Sequence, residues 1–468
     1  MNKKYWLICL AICILILAGC STTPSATPAV QPATATMVEN LPTAISTNAP
    51  TEPTAQGSAT QPGSAGIAIP SFPNPDQSIP AGIVPSSKSS QYTIFTWNNL
   101  GMHCYMSDYS RFLVLPPYNV FWAQVVAKGS EDPQILSSLQ LQYSIPSVTQ
   151  PENHSNFWQY AKQYGFDLQP GVGLTGKKTS GTMDAKSDYY IAEGVPAIDY
   201  SDAGNWDPYP FYKVQAVDAG GTVVAESFNV SPVSSEMRCD LCHGGSTIQE
   251  MEDNILKAHD VGNGTNLYDQ AASGNLVMCA SCHADPAMGI MESKGSQFSL
   301  SAAIHTFHSG KDTDQSNLPQ NYCQSCHPGE KTQCLRDAMS EAGITCTDCH
   351  GSMADVGSSS RTAWVNLPKC STCHGENLGR ANSDTIVSPN TQLTVSEAEL
   401  FRNSKAHGGT GIYCAACHGS PHAIYPTVTN RDNQYSIYLQ GSAGVIRDCT
   451  VCHGEAQDEG FWHFGEGD

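Results

Sequence analysis

Apolar positions change character three times along this chain. The first stretch is an unbroken apolar run from Tyr5 to Gly19 behind Lys3 and Lys4. It is shorter than the ~20 residues a bilayer crossing needs, so it predicts an export leader rather than a membrane span. No later segment is apolar enough to span. Residues 21–70 contain 33 Ser, Thr, Pro or Ala, with Glu39 and Glu52 the only charges. Too few large apolar groups are present to offset the entropy of ordering, so a flexible tether is expected, running to about residue 90.

From Tyr92 to about Val233 the pattern turns to short β-branched and aromatic runs broken by Pro, Gly and Asp. Gln91 to Trp97, Val120 to Ala127, Leu139 to Ile145, Phe211 to Asp218 and Thr222 to Val230 read as strands, with Ala219-Gly220-Gly221 as a hairpin turn. Phe157 to Tyr164 reads as a short helix. This predicts an all-β sandwich, immunoglobulin-like in type. Beyond Met237 no period is sustained. Leu335 to Ala342 and Val395 to Lys405 read as helices, the second opened by Thr394 with Glu397 three residues on, and irregular structure is expected elsewhere. The expected division is therefore leader 1–19, tether 20–90, β-sandwich 91–233 and a C-terminal region 234–468 of loops and short helices.

That last region carries the chemistry. It spells C-x-x-C-H seven times: Cys239/Cys242/His243, Cys279/Cys282/His283, Cys323/Cys326/His327, Cys346/Cys349/His350, Cys370/Cys373/His374, Cys414/Cys417/His418 and Cys449/Cys452/His453. Two thiols three positions apart reach the two vinyl groups of one porphyrin, and the adjacent imidazole falls under the iron as its proximal ligand. Chance would supply about 0.02 such motifs. Zinc knuckles and a disulfide framework would use the cysteines but have no need of a His after each second one. With one motif per ~33 residues, porphyrins would form the core of this region and the chain would wrap them. Seven covalent haem c groups follow.

The motifs resemble those of multihaem c-type cytochromes of respiratory chains. Leu17-Ala18-Gly19-Cys20 resembles a bacterial lipobox, which implies cleavage before Cys20, diacylation of its thiol and a surface-anchored lipoprotein. Ser21 is similar to the residue that sends such proteins to the outer membrane. In a host with one membrane the same anchor implies the outer face of the plasma membrane. H-T-F-H at His305 and His308, and His407 before Cys414, resemble distal-ligand segments of such cytochromes. His422 is similar to a position that ligates a neighbouring haem.

The sequence holds fifteen His, of which seven are proximal. The distal candidates are His259, His305, His308, His407, His422 and His463 in the haem region, one fewer than the haems, with His103 and His154 in the β-region. Four sources for the seventh ligand are open: His154 or His103 folding over; Met278, Met288 or Met353; a His from a neighbouring subunit; or none, leaving an open iron. Cys104 and Cys334 stand outside every motif, as an interdomain disulfide or as buried thiols. Met102, His103, Cys104 and Met106 form a soft-ligand set of the kind that holds copper, or a structured loop. Asp199, Asp202 and Asp207 with Tyr200, Trp206 and Tyr209 read as a calcium or sugar site, or a solvated loop.

The formal charge is −20. Loss of Lys3 and Lys4 with the leader takes it to −22. This disfavours nucleic acid and favours cationic partners or oxidised metal species. The expected function is electron transfer between a membrane quinone oxidoreductase or another cytochrome and an external acceptor such as a metal oxide. The alternatives are a reductase of the nitrite, hydroxylamine or tetrathionate type, against which no C-x-x-C-K motif occurs, and a subunit of a cytochrome assembly.

Overall fold

The computed structural model describes residues 66–129, 133–311, 322–364, 366–368, 405–406 and 411–454. The leader, Cys20, the tether to residue 65, Cys370, Cys373, His374, His407 and His463 lie outside them. The helix expected over Val395 to Lys405 also lies outside, apart from Lys405, which pairs with Tyr413 in a two-residue strand.

Alternating apolar residues in the β-region build two antiparallel sheets. The strands are β1 (Tyr92–Asn98), β2 (Asn119–Ala127), β3 (Gln134–Leu136), β4 (Gln140–Ser144), β5 (Ser180–Thr182), β6 (Asp184–Ala185), β7 (Tyr190–Val195), β8 (Phe211–Val217) and β9 (Val223–Val230). One sheet runs β1-β2-β7-β6, with β3 on the end of β2, and the other runs β9-β8-β4-β5. The β8–β9 turn falls at 218–222, where Gly221 takes φ +84° and Asp218 accepts from the amides of Gly220 and Thr222. Phe121 of β2 stacks on Tyr212 of β8 with centroids 3.9 Å apart, joining the inner faces of the two sheets. Ile94, Ala123, Val125, Leu141, Tyr143, Val214 and Ala216 complete that core.

The outer face of β1 is covered as well. Phe95 and Trp97 alternate with Ile94 and Thr96, and they pack against Tyr413, Ala415, Ala416, Tyr425, Tyr435, Leu439 and Val451 from the motif-bearing region. The boundary expected at 233/234 is thus crossed by a shared core. Val233 and Ser234 also pair, parallel, with His103 and Cys104.

Residues 66–90, expected to end the tether, lie against this body instead. Ile83 is buried with Met102, Tyr209, Phe211 and Phe228. Ile67 N–H donates to Gln249, and the carbonyl of Ser78 accepts from Arg431. The few large apolar residues after Gly66 supply what the Ser/Thr/Pro/Ala stretch lacks.

Irregular structure is not what the C-terminal region shows throughout. It contains α1 (Ile248–Asn263), α2 (Leu267–Ala272), α3 (Leu300–Ser309) and α4 (Asn430–Gln440). Thr247 and Ser299 cap α1 and α3 by accepting from Glu250 N and Ala302 N, and Gly264 ends α1 in the left-handed region. The helix expected over Leu335 to Ala342 is only Ala338–Glu341, capped by Asp337. Arg336 N–H donates to His422 O, which draws that residue out of helical register.

Candidate functional site

Each of the six described motifs makes the same turn. The His amide donates to the carbonyl of the first Cys at 2.9 Å in motif one, 3.1 Å in motif two, 2.9 Å in motif three and 2.8 Å in motif seven. Motifs four and six are short helices, Cys346–His350 and Cys414–His418. A single helical turn sets thiols i and i+3 on one face with the imidazole after them. None of the twelve motif cysteines described is in a disulfide. Among the described residues no three His, Cys, Asp or Glu side chains converge, as a zinc knuckle would require.

Three motif histidines have a second histidine ring opposite them, and a fourth has one nearby. Ring centroids are 6.3 Å apart for His243 and His308, 6.0 Å for His327 and His305, and 6.2 Å for His350 and His422. His283 and His259 lie within electrostatic reach of one another. Two imidazoles on opposite sides of one metal, at bonds of about 2.0–2.1 Å and with each centroid about 1.1 Å behind its nitrogen, have centroids roughly 6.3 Å apart. The three measured separations match that span.

His453 of motif seven lies against the β-region: it bridges Gly129, just past the end of β2, in parallel, and Gly454 N–H donates to Gly129 O at 2.9 Å. Motif seven is the last, and the candidate ligand that follows it, His463, lies outside the described residues, as does His407 before motif six.

The nitrogens of the paired rings are oriented to suit. Nδ1 of His305 donates to Ser301 O at 2.7 Å, that of His308 to Ile304 O at 2.7 Å, that of His422 to Leu100 O at 3.0 Å and that of His283 to Phe298 O at 3.0 Å. Nδ1 of His259 donates to Thr265 Oγ1 at 2.9 Å, since that hydroxyl gives its own proton to Asp260. A carbonyl can only accept, so Nε2 keeps the lone pair that a metal takes. Burial holds His327 and His350 near pKa 4 and lowers His243, His259, His305 and His422, so these rings are neutral at pH 7.

Helix α3 supplies two of the opposing rings, three residues apart, to motifs one and three. The motifs are themselves close. Cys323 and Cys346 are within side-chain hydrogen-bond range, Cys326 is within electrostatic reach of Cys239 and Cys242, and Cys417 of Cys452. Motifs one, three and four therefore cluster, and so do six and seven. Large apolar side chains stand exposed in the motif-bearing region: Val261 (89%), Met291 (61%), Phe298, Ile304, Phe307 and Ile344. Such a surface suits a flat apolar group laid over it.

The other sequence candidates go elsewhere. His103 is buried, with Nε2 2.7 Å from Asn99 Oδ1 and its ring against Tyr118, and burial takes it to about pKa 3. His154 lies against Tyr200 and the carbonyl of Asp202. Met278 and Met288 pack in the main core. The soft-ligand set diverges: Met102 joins the cluster around Ile83, while Met106 joins the sandwich core, its sulfur accepting from Val114 N. Cys104 and Cys334 are both free and half-buried, with thiols raised by desolvation to about 11 and 12. The three aspartates serve separate ends. Asp199 accepts from Tyr105, Trp206 and Ser235; Asp202 from Thr149 and Gln150; Asp207 from Arg431. The sequence reading missed Leu100 as the carbonyl that orients His422, because nothing local marks a contact 322 residues long.

Compared with protein-family models, curated proteins and solved structures, the chain matches none.

Proposed function

We propose that this chain is a heptahaem c-type cytochrome that carries electrons between a membrane oxidoreductase and an extracytoplasmic acceptor. The observation that carries the reading is the opposed histidine pairs, which stand at the separation a bis-imidazole iron requires and start from three C-x-x-C-H motifs. Cys239 and Cys242 would hold one haem, with His243 and His308 as its axial ligands. Cys279 and Cys282 go with His283 and His259, Cys323 and Cys326 with His327 and His305, and Cys346 and Cys349 with His350 and His422. The remaining motifs, with His374, His418 and His453 as their proximal ligands, keep His407 and His463 as distal candidates. Bound haem supplies a one-electron carrier whose coordination stays the same in both oxidation states.

The chain's part is to fix the rings. Backbone carbonyls lock His283, His305, His308 and His422 in one tautomer, burial lowers the pKa of His243, His259, His305, His327, His350 and His422, and helix α3 ties two motifs to one rigid element. The contact between Cys323 and Cys346 makes groups attached there neighbours, as a conducting path needs. The apolar leader and Cys20 support a lipid anchor on an extracytoplasmic face. Among the described residues no helix is long and apolar enough to cross a membrane.

The immunoglobulin-like reading of the β-region draws support from its strand order. Lettered along the chain with β3 set aside, the first sheet runs A-B-E-D and the second G-F-C-C′, the order of that sandwich family. It lacks the inter-sheet cysteines.

The test is haem content and spin state. Mature protein made in a host that attaches haem c should carry seven haems by pyridine haemochrome and intact mass. The oxidised form should be low-spin by EPR for motifs one to four and unchanged by cyanide or nitrite. Absence of covalent haem overturns the proposal. A high-spin haem that binds nitrite and turns it over replaces electron carriage with the reductase reading.

A further inference from the structure

The buried carboxyls Asp108 and Glu252 take no part in the haem sites described above. Asp108 precedes Tyr109 in the loop after the His103–Cys104 strand, and Glu252 lies on α1, the helix that also carries His259. Their exposures are 0% and 1%. The two side chains are within hydrogen-bond range of each other. Asp108 Oδ2 accepts from the Ser110 hydroxyl at 2.6 Å, and Oδ1 accepts from Asn156 and from Ser110 N–H. Glu252 Oε2 is buried with no donor among the described residues.

The charges facing the pair do not balance it. Arg111 lies within reach, but its Nε is bound to Asp253 Oδ1 at 2.6 Å, so one guanidinium answers three carboxyls. The other titratable neighbours are Tyr109, Tyr160 and Tyr164 from the β-region and the motif thiols Cys239 and Cys279. Two buried carboxylates in hydrogen-bond contact, without a cation of their own, resist ionising together, so one of them gives up its proton only at a pH above the ordinary carboxylate range. Burial followed by the charge of Asp108 raises Glu252 well above the carboxylate range, in agreement. The site lies within electrostatic reach of the first attachment cysteine of motif one and of motif two.

We propose that Asp108 and Glu252 form a proton-binding site linked to the oxidation state of the centres at motifs one and two. The proposal rests on the haem reading. An added electron nearby makes the surroundings more negative and favours the protonated pair. Above the raised pKa of Glu252, where the oxidised protein has lost that proton, a reductant such as dithionite or an electrode delivers one electron and one proton from water forms an O–H bond on Glu252. No other bond changes. The pair thereby ties electron uptake to proton uptake.

The experiment is a spectroelectrochemical titration of full mature holoprotein from pH 5 to 9, for the parent and for Glu252→Gln. Gln keeps the shape and a hydrogen-bond donor toward Asp108 but holds no titrating proton. In the parent, at least one component's midpoint potential should fall with rising pH, up to the limit of about 59 mV for each tenfold change in proton concentration. In E252Q that slope should vanish, the potential staying at the parent's low-pH value. A pH-independent parent, or a slope that E252Q leaves intact, overturns the proposal. Should E252Q fail to assemble, redox-difference infrared spectra of the parent decide: a carboxylic C=O band that grows on reduction and shifts in D2O is expected, and its absence refutes the site. Haem content on the same sample separates the two readings, since failure of the underlying one shows as missing haem and failure of this one as haem without proton linkage.

Discussion

At the scale of single residues, the C-x-x-C-H motifs were legible and the partnerships between histidines were not. C-x-x-C-H is a local pattern, whereas His308 meets His243 across 65 positions and His422 meets His350 across 72. These meetings depend on where helices land, and no local spacing encodes that. The pairing gives a sharp expectation. With haem bound as proposed, His308→Ala should open the iron at motif one, adding a high-spin, cyanide-binding EPR signal. His305→Ala should do the same at motif three. His103→Ala should add none, because His103 is bound to Asn99 in the sandwich. A low-spin H308A protein would refute the assignment. A second expectation concerns Arg336, which has no exposed surface. It binds Asp432 through Nε at 2.6 Å and Nη2 at 2.9 Å, donates to Gly101 O at 2.7 Å and lies 4.9 Å from the Tyr209 ring centroid. Arg336→Met leaves Asp432 buried without its cation and should cost about 3–5 kcal/mol in denaturant unfolding. Nothing in the sequence marked Arg336, since an arginine in an expected short helix reads as a solvated charge.

Among the elements, strands read well and helices badly for one physical reason. The sandwich strands alternate because one face meets the core, so Gln91 to Trp97 and Phe211 to Asp218 match β1 and β8 closely. Strand β7, Tyr190–Val195, was missed because Glu193 and Gly194 interrupt its apolar run. Helix α4 buries Arg431, Asp432, Tyr435, Ser436 and Leu439. Its inward face is largely polar, satisfied by Asp207, Ser78 and Arg336 from distant segments, and apolar periodicity cannot reveal such a face. The start of α1 was visible in principle, as Thr247 followed three positions on by Glu250 is a capping signature. Because Thr247 and Ser299 each close one helix, Thr247→Ala and Ser299→Ala should each lower stability by about 1 kcal/mol. Of the two, only S299A acts on the helix bearing His305 and His308, so it should broaden the low-spin EPR features of motifs one and three. Unchanged spectra in S299A would show that haem attachment alone holds those rings.

For the molecule as a whole, composition suggested two domains in series, and packing joins them. Trp97 and Trp122 of the first sheet share an aromatic cluster with Tyr413, which directly precedes motif six. Thr93 donates to the carbonyl of Val451 within motif seven, and Gly129 bridges His453 of the same motif. Gln124 of β2 bonds both Gly411 and Tyr413, and Tyr209 donates to Thr332 beyond motif three. The strap of residues 66–90 adds Ile83 to the same body. Contacts of this kind remove large apolar rings from water on both sides at once, so neither part keeps its core without the other. The mature protein should therefore unfold in a single calorimetric transition. A chain truncated to residues 234–468 should be digested by protease within the sequence around Tyr413 and Tyr435, which the intact protein protects. Two separable transitions, or a truncated chain as protease-resistant as the whole, would show that the motif-bearing region stands alone. The sandwich would then be a docking module rather than a wall of the haem sites. The shared core argues for the wall: Leu100 orients His422, and Asp108 faces Glu252, so residues of the β-region fix both a histidine and a buried carboxyl beside the motifs.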